Sequence, residues 1–187
     1  MSHELIAKRY ERDPDGTLII DIAIDSVNDL YNEFDKKAVF RKRELDQDFV
    51  DYLIECVTEI KEHNYFIKIS LPAPLEDECK GRIKTSICNY FVYLKEVEVL
   101  AFKKEVRKTL LLFLFGICLI TLSIFGPLER LAEQAVWLKV LQEGIVIAAW
   151  VTLWQVFAAL IFEWQPLWQQ INLYRRISSS HVEVVTR

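Results

Sequence analysis

Glycine, histidine and cysteine are scarce in this chain, and their scarcity leaves several kinds of chemistry without support. The 187 residues contain 5 glycines, 3 histidines and 4 cysteines. Gly81 stands alone and Gly126 lacks a phosphate-loop context, so no nucleotide-binding loop is indicated. No serine has a histidine and an aspartate suited to activate it, so acyl chemistry is not indicated either. We therefore predict that the protein is not an enzyme and carries no cofactor.

The cysteines and the charge balance exclude further classes. No two cysteines form a CxxC pair, so we expect reduced, partly buried thiols rather than a metal site or a disulfide scaffold. These cysteines are Cys56, Cys79, Cys88 and Cys118. The formal net charge is −4 and the pI is about 5.5, which gives no electrostatic case for a nucleic-acid partner. The charged N-terminal segment has no short apolar core with a cleavage site, so we expect no signal peptide.

Long apolar stretches are what the chain does have. Hydrophobic residues make up 52% of the sequence and charged residues 27%, with a mean hydropathy of +0.14, so the two populations must be segregated along the chain. Residues 109–128 and 144–162 carry no formal charge, and a helix needs roughly 20 such residues to cross a bilayer. A buried hairpin in a soluble bundle is the alternative, but its ends would rarely be basic and tryptophan-rich. We predict a two-span membrane protein whose first partner is the lipid bilayer.

The apolar stretches contain no histidine and no ionisable carboxylate or base. Haem-binding bundles, proton relays and most ion-coupled transporters need such groups at membrane depth, so these functions are disfavoured.

Basic residues are concentrated on one side of the two apolar stretches. The connecting residues 129–143 hold only Arg130 and Lys139. Because lysine and arginine near span ends set the orientation, we predict a multi-pass protein of the inner membrane with both termini cytoplasmic. The predicted topology-setting residues are Lys103, Lys104, Arg107, Lys108, Arg175 and Arg176.

The second apolar stretch carries an aromatic edge at helical spacing. Trp150, Trp154 and Phe157 share one side, and Gln155 lies near the predicted bilayer centre. We interpret these four residues as packing on the first span or on a neighbouring protomer, with a bound lipid or hydrophobic small molecule as the alternative. Gln155 is expected to find a partner, either a symmetry-related glutamine or a threonine hydroxyl.

Further tryptophans fall at the predicted membrane boundaries. Trp137 lies near the outer boundary, and Trp164 and Trp168 lie near the inner one, where we expect them to be interfacial anchors. Pro166 favours a bend or a helix end just after the second span.

The residues before the first span predict a small α/β domain. A tight turn at residues 13–16 precedes an alternating strand at 17–25, and a short helical turn is expected between residues 26 and 43. Asp46 is suited to cap a helix that runs to about Glu62, and Tyr65–Leu71 alternates as a second strand. Two strands make a marginal sheet, so we expect a further strand from residues 5–10 or 181–186, or pairing with another protomer.

From about Glu76 the chain is predicted to be helical without a break into the first span. Apolar residues at spacings of four and three form a short seam, which would pack on the small domain or pair helices in an oligomeric coiled coil. The seam residues are Ile83, Ile87, Tyr90, Leu94, Val97 and Ala101.

Carboxylates are densest between residues 21 and 35, where a magnesium or calcium ion would need oxygen ligands of this kind. Asp21 and Asp25 would lie about 13 Å apart along a strand, too far to share an ion directly. We therefore expect solvent-facing carboxylates and turn caps, with a metal-dependent enzyme as the alternative. The residues concerned are Asp21, Asp25, Asp29, Glu33 and Asp35.

Several short motifs together resemble a family of prokaryotic two-span membrane proteins of unknown function. The motifs are Ile24-Asp25-Ser26-Val27, Leu30 with Phe34-Asp35, the run Arg41-Lys42-Arg43-Glu44-Leu45-Asp46, and Glu143-Gly144 followed by Trp150, Trp154, Trp164 and Pro166. The resemblance covers most of the chain and implies the two-span topology. Members of the family carry an arginine-proline pair and a later acidic residue, where this chain has Gln155, Val156 and Ala158. An intramembrane ion pair at those positions is therefore absent from this chain.

The sequence thus predicts an α+β membrane protein in which a long helix joins a small cytoplasmic α/β domain to a two-helix transmembrane hairpin. The predicted segments are the small domain 1–75, the juxtamembrane helix 76–108, the first span 109–128, the external connector 129–143, the second span 144–163 and the cytoplasmic C-terminal tail 164–187. As a function we expect a homo-oligomeric membrane anchor or scaffold for a cytoplasmic protein partner. The alternative is a homo-oligomeric channel or membrane-disrupting effector gated by the cytoplasmic domain.

Overall fold

A computed structural model describes residues 9–32, 44–125 and 136–187 of the chain. The fold is mixed α/β, with a small sheet and two long apolar helices. Two compact units are present. The sheet unit comprises the described residues up to Glu96 together with Ile171–Arg187, and the helical unit comprises the described residues of Val97–Gln170.

The elements follow one another as strands, then long helices, then a last strand. They are β1 (Glu11–Arg12), β2 (Leu18–Ala23), a 3-10 turn (Val27–Leu30), α1 (Gln47–Ile60), β3 (Tyr65–Leu71), α2 (Asp77–Phe125), α3 (Val136–Ala158), a π-helical segment (Ala159–Glu163), α4 (Trp164–Ser178) and β4 (His181–Thr186).

The described strands form one sheet in the order β1-β2-β3-β4. β3 is central, and it pairs in parallel with β2 on one side and with β4 on the other. The register places Ile67 opposite both Ile20 and Val182. β1 adds a short antiparallel pairing at Leu18 and Ile19. The last strand of the chain therefore completes a sheet that begins near the N-terminus.

Local signals explain where β2 and α1 start. Gly16 has a φ of 81°, and its N–H donates to the Asp13 carbonyl at 2.8 Å, which closes the turn before β2. The Asp46 carboxylate accepts from the N–H groups of Asp48 and Phe49 at 3.0 and 3.3 Å and so caps α1. The predicted turn, cap and strand Tyr65–Leu71 are confirmed, and β2 is shorter than predicted at both ends.

One hydrophobic core fills the sheet unit. Alternate residues of β2 and β3, the apolar face of α1 and the start of α2 meet in it. Ile83 and Ile87 of the predicted seam are fully buried there, and Tyr90 and Leu94 pack against it. The seam thus packs on the sheet unit, the first of the two predicted alternatives, at least up to Leu94. Phe91, which lies off that seam, is also fully buried.

The segment predicted as the C-terminal tail 164–187 contains α4 and β4. The physical reason is their apolar pattern, because Ile177, Val182 and Val184 enter the same core as β3. Of the two candidate extra strands, 181–186 is confirmed, whereas most of 5–10 lies outside the described residues.

The helical unit is mostly uncovered apolar surface. The helices Asp77–Phe125 and Val136–Ser178 are both long and apolar enough to span a membrane. Only 17% and 11% of their most apolar windows are buried, whereas the core helix of a soluble protein would be mostly buried. The predicted connector 129–143 is described only from residue 136, and Phe34, Asp35 and Arg41–Arg43 of the family motifs also lie outside the described residues.

Candidate functional site in the helical unit

Small residues form the contact between the two long helices of this unit. On α2, Thr109, Gly116 and Ser123 are buried, and they recur every seven residues, so they share one side of the helix. Ala149 and Ala159 are buried on the other chain segment. Small side chains let two helix backbones approach closely, which is how helices associate in lipid.

Gly116 marks the closest of these approaches. A Cβ atom at this position would lie 3.1 Å from Leu153 Cδ2 and 3.4 Å from Thr152 Cγ2. The distance to Leu153 is tighter than an ordinary van der Waals contact, so a side chain larger than alanine must push the helices apart.

A cleft of about 370 Å³ opens between the same two helices at one end of the contact. Its lining combines charged, polar and apolar side chains: Lys108, Thr109, Leu112, Gln155, Val156, Ala158, Ala159 and Glu163. Lys108 and Glu163 lie at the end of the apolar stretches, and Gln155 lies roughly 12 Å from Glu163 along the helix at 1.5 Å per residue.

A π-helical segment forms one wall of this cleft. Ala159–Glu163 has the wider winding, in which the Trp164 N–H donates to the Ala159 carbonyl five residues earlier. Segments of this kind are frequent at functional sites. The helix continues past Pro166 to Ser178, so of the bend or helix end expected there, the helix end does not occur. Proline cannot donate a backbone hydrogen bond. Pro166 lies in the first turn of α4, directly after the π segment, where its ring is tolerated.

The charged side chains at the cleft form a small cluster. The Lys108 ammonium lies 3.1 Å from Glu105 Oε2 and 4.0 Å from Glu163 Oε2. The Glu163 side chain is 49% exposed and the Lys108 side chain 59% exposed, so both retain capacity for another partner. The cluster holds one cation and two carboxylates and has a net charge of −1.

The predicted aromatic edge faces away from the first helix. Trp150, Trp154 and Phe157 are 70%, 73% and 61% exposed. The described part of the chain therefore leaves them free for lipid or another protomer. Of the predicted anchors, Trp137 and Trp168 are 66% and 60% exposed.

Trp164, the remaining predicted anchor, packs inward. Its ring lies edge-on to Phe102, with 5.8 Å between centroids. This aromatic pair joins α2 to the start of α4 just beyond the cleft.

Gln155 reaches the cleft but not the hydroxyls proposed as partners. Thr121 donates to the Ile117 carbonyl at 2.8 Å and Thr152 donates to the Ala148 carbonyl at 2.7 Å, so both hydroxyl protons are used within their own helices. Among the described residues, Gln155 has no hydrogen-bond partner. Its amide is therefore available to a molecule in the cleft.

The predicted topology-setting residues divide between the units. Lys103, Lys104 and Arg107 are exposed on α2, next to Lys108 of the cleft. Arg175 is exposed on α4 of the sheet unit.

Arg176, which was predicted to set the topology, also contacts Tyr65 and His63 in the sheet unit. Its guanidinium lies over the Tyr65 ring at 5.5 Å and donates to the His63 carbonyl at 3.5 Å. Burial raises the pKa of Tyr65 to about 12, although the nearby Arg176 opposes the rise.

A second, more polar cavity of about 360 Å³ lies in the sheet unit beside β2 and α1. The Tyr10 hydroxyl donates to Glu59 Oε2 at 2.8 Å, and Arg9 lies 3.7 Å from the same carboxylate. Burial first, and the hydrogen bond to Glu59 second, raise the pKa of Tyr10. These contacts fasten the segment before β1 to α1.

Two described members of the predicted carboxylate group, Asp21 and Asp29, have separate structural partners. Asp21 accepts from the Ser70 hydroxyl at 3.0 Å, and Asp29 accepts from the Ser26 N–H at 3.0 Å as part of a capping box. Glu33 and Asp35 lie outside the described residues. Within the described ranges, no group of three or more histidine, cysteine or acidic side chains could hold a metal ion. All four cysteines are free thiols.

Sequence reasoning missed the cleft because its parts lie far apart in the chain. Glu163 directly follows the second uncharged stretch, and a lysine precedes the first one, so their pairing could have been proposed from the hairpin alone. The π segment has no comparable signal. In comparisons with known proteins, neither a family model nor a curated protein nor a solved structure matches this chain.

Proposed function

We propose that the protein is a non-enzymatic integral protein of the inner membrane, which inserts the helical unit as a hairpin and acts as an oligomeric anchor or scaffold for a cytoplasmic protein partner. The observation that carries the proposal is the uncovered apolar surface of the helical unit. Phe115, Ile147 and Phe162 are 58%, 63% and 74% exposed, with many similar neighbours. Each such side chain left in water forgoes about 1.5–3 kcal/mol, which lipid would supply.

The pairing of β3 with β4 supports a hairpin rather than a single crossing. Residues on both sides of the helical unit belong to one sheet and one core, so they must lie on the same side of any membrane. An even number of crossings satisfies this condition, and two candidate helices are available. The basic residues before the first span favour the cytoplasm for the sheet unit.

Unsatisfied surfaces support an oligomer and a partner. The described residues of the chain do not cover the aromatic edge of Trp150, Trp154 and Phe157. Within the described part of the chain, β4 pairs with β3 alone and leaves its outer edge open to another strand. The polar side chains that a channel would require do not converge, since Ser123 is buried between the helices and Thr121 bonds to its own backbone.

Cysteine accessibility tests the topology. In a variant whose native cysteines are replaced, Lys139→Cys and Arg187→Cys are introduced separately and treated in intact cells with a membrane-impermeant maleimide. We expect labelling from outside at position 139 alone, with position 187 labelled only after permeabilisation. Outside labelling of position 187, or protection of both positions in a water-soluble protein, would contradict the proposal.

The particle mass in nanodiscs tests the assembly. We expect more than one copy per disc and no ion leakage from liposomes that contain the purified protein. A monomer would contradict the oligomeric scaffold, and sustained leakage would favour the channel.

A further inference from the structure

The cleft between α2 and α3 has a polar end and an apolar depth. Lys108 and Glu163 lie at the polar end, and Leu112 and Val156 line the deeper part. An amphiphile with a polar head and a hydrocarbon chain matches this division. The volume of about 370 Å³ can enclose part of one such molecule, and the rest of the molecule would lie along the open side of the cleft.

The charges at the polar end restrict the head of that molecule. Lys108 can bind an anion, but the ion-pair cluster that it forms with Glu105 and Glu163 has a net charge of −1. The neighbouring basic side chains Lys104 and Arg107 are exposed and do not line the cleft. A purely anionic head would meet two carboxylates, and a neutral head would leave both charges without a new partner. A zwitterionic head places its phosphate at the lysine and its cation at the partly exposed Glu163 carboxylate, so that each charge gains an opposite one.

Hydrogen bonding further restricts the cation. A primary ammonium has three N–H donors, as in lysine, and can form charge-assisted hydrogen bonds to a carboxylate. A quaternary ammonium has no N–H donor and is recognised instead over aromatic faces. Glu163 is a carboxylate acceptor, and no aromatic side chain lines the cleft among the described residues. The cleft therefore favours a primary ammonium.

We propose that this cleft binds one phosphatidylethanolamine molecule of the surrounding bilayer. Its phosphate contacts Lys108, its ammonium contacts Glu163, and its acyl chain lies along Leu112 and Val156. The inference rests on the proposed membrane insertion, because only a bilayer presents this ligand at this depth.

Native mass spectrometry of the detergent-solubilised protein tests the site. The delipidated protein is titrated with phosphatidylethanolamine, phosphatidylcholine and phosphatidylglycerol of identical acyl chains. We expect one preferred phosphatidylethanolamine per chain. Glu163→Gln and Lys108→Gln should each weaken its binding about tenfold, because each removes one charge-assisted interaction. Glu143→Gln and Lys104→Gln make the same charge changes outside the cleft and should leave binding unchanged.

A cleft-filling variant guards against misfolding of the charge variants. Ala158→Leu adds apolar volume to the lining and should abolish the preferred binding while the particle mass stays the same. Equal binding of the three lipids, a preference for phosphatidylglycerol, or retained preference in Ala158→Leu would overturn the inference.

The two proposals fail separately. The lipid titration is read in detergent, whereas the position-139 labelling reads insertion in cells. Normal insertion without lipid preference overturns the site alone, and failed insertion overturns the anchor and with it the bilayer source of the ligand.

Discussion

Truncating Ile177 to alanine tests whether the C-terminal end of α4 belongs to the sheet unit. Ile177 lies on α4, is fully buried and shares a core with β3, although more than 100 residues separate them. An isoleucine-to-alanine change at a buried site costs 2–5 kcal/mol, since it removes apolar contacts and leaves a cavity. Taking about 3 kcal/mol, we expect the population of the opened sheet unit to rise roughly 100-fold.

The Cys56 thiol provides the readout. It is buried at 5% exposure on α1, where it belongs to the same core and also lines the polar cavity beside β2, so we expect a bulky thiol reagent to reach it mainly when the unit opens. Cys79, Cys88 and Cys118 are replaced so that one labelling rate is measured. When opening is fast relative to labelling, the rate follows the open population, so Ile177→Ala should label roughly 100-fold faster.

Two further variants serve as a positive and a negative control. Leu53→Ala, at a fully buried site on α1, should accelerate labelling by a similar factor, and Leu100→Ala, at a site 66% exposed, should change it little. If Ile177→Ala labels within threefold of the parent while Leu53→Ala labels far faster, the C-terminal segment does not complete the core, and the reasoning is refuted.

Three further outcomes are expected. Gly116→Leu should drive the two long helices apart at the contact with Leu153 and lower the yield of a disulfide engineered across it, whereas Gly116→Ala should have a small effect, because only the flexible end of Leu153 must give way. Burial raises the pKa of Tyr65 from the usual 10 to about 12 in the folded state. The folded state therefore keeps its full stability below pH 10 and loses stability as the pH rises toward 12. The urea midpoint measured by circular dichroism should fall between pH 9 and pH 11, and it should fall less in Tyr65→Phe. Tyr10→Phe removes the 2.8 Å hydrogen bond to Glu59 and should cost about 1 kcal/mol, read as roughly fivefold faster Cys56 labelling; no change would show that the contact contributes nothing.

The parts of the fold that short-range patterns encode could be predicted from the sequence. Asp46 caps α1 through neighbouring N–H groups, and the alternation in Tyr65–Leu71 defines β3 without reference to distant residues. Tyr31, by contrast, is buried at 2% exposure with no local pattern that marks it. Such positions depend on which elements meet in the core, and that choice is made by packing rather than by spacing.

The candidate site shows the same division. The uncharged stretches could be predicted because length and composition decide them. Which tryptophans are exposed depends on how the helices pack, as the contact of Trp164 with Phe102 shows. The cleft required the relative rotation of two helices, which places Lys108 beside Glu163. The π segment changes that rotation within a few residues, and no propensity scale registers it. Likewise, the charge pattern that marked Arg176 as topology-setting could not predict that its guanidinium stacks on the Tyr65 ring.

The parallel pairing of β3 with β4 also has a consequence for biosynthesis. Ile67 of β3 pairs with Val182 of β4, so β3 leaves the ribosome more than 100 residues before β4 is synthesised. At about 5–20 residues per second, that edge waits roughly 5 to 20 seconds for its partner. Translation of both long helices occupies much of the interval, so if these helices insert as proposed, their integration would precede closure of the sheet. A chain that stalls during integration would present an unpaired edge to chaperones and proteases, which would make completion of the sheet a checkpoint on correct insertion.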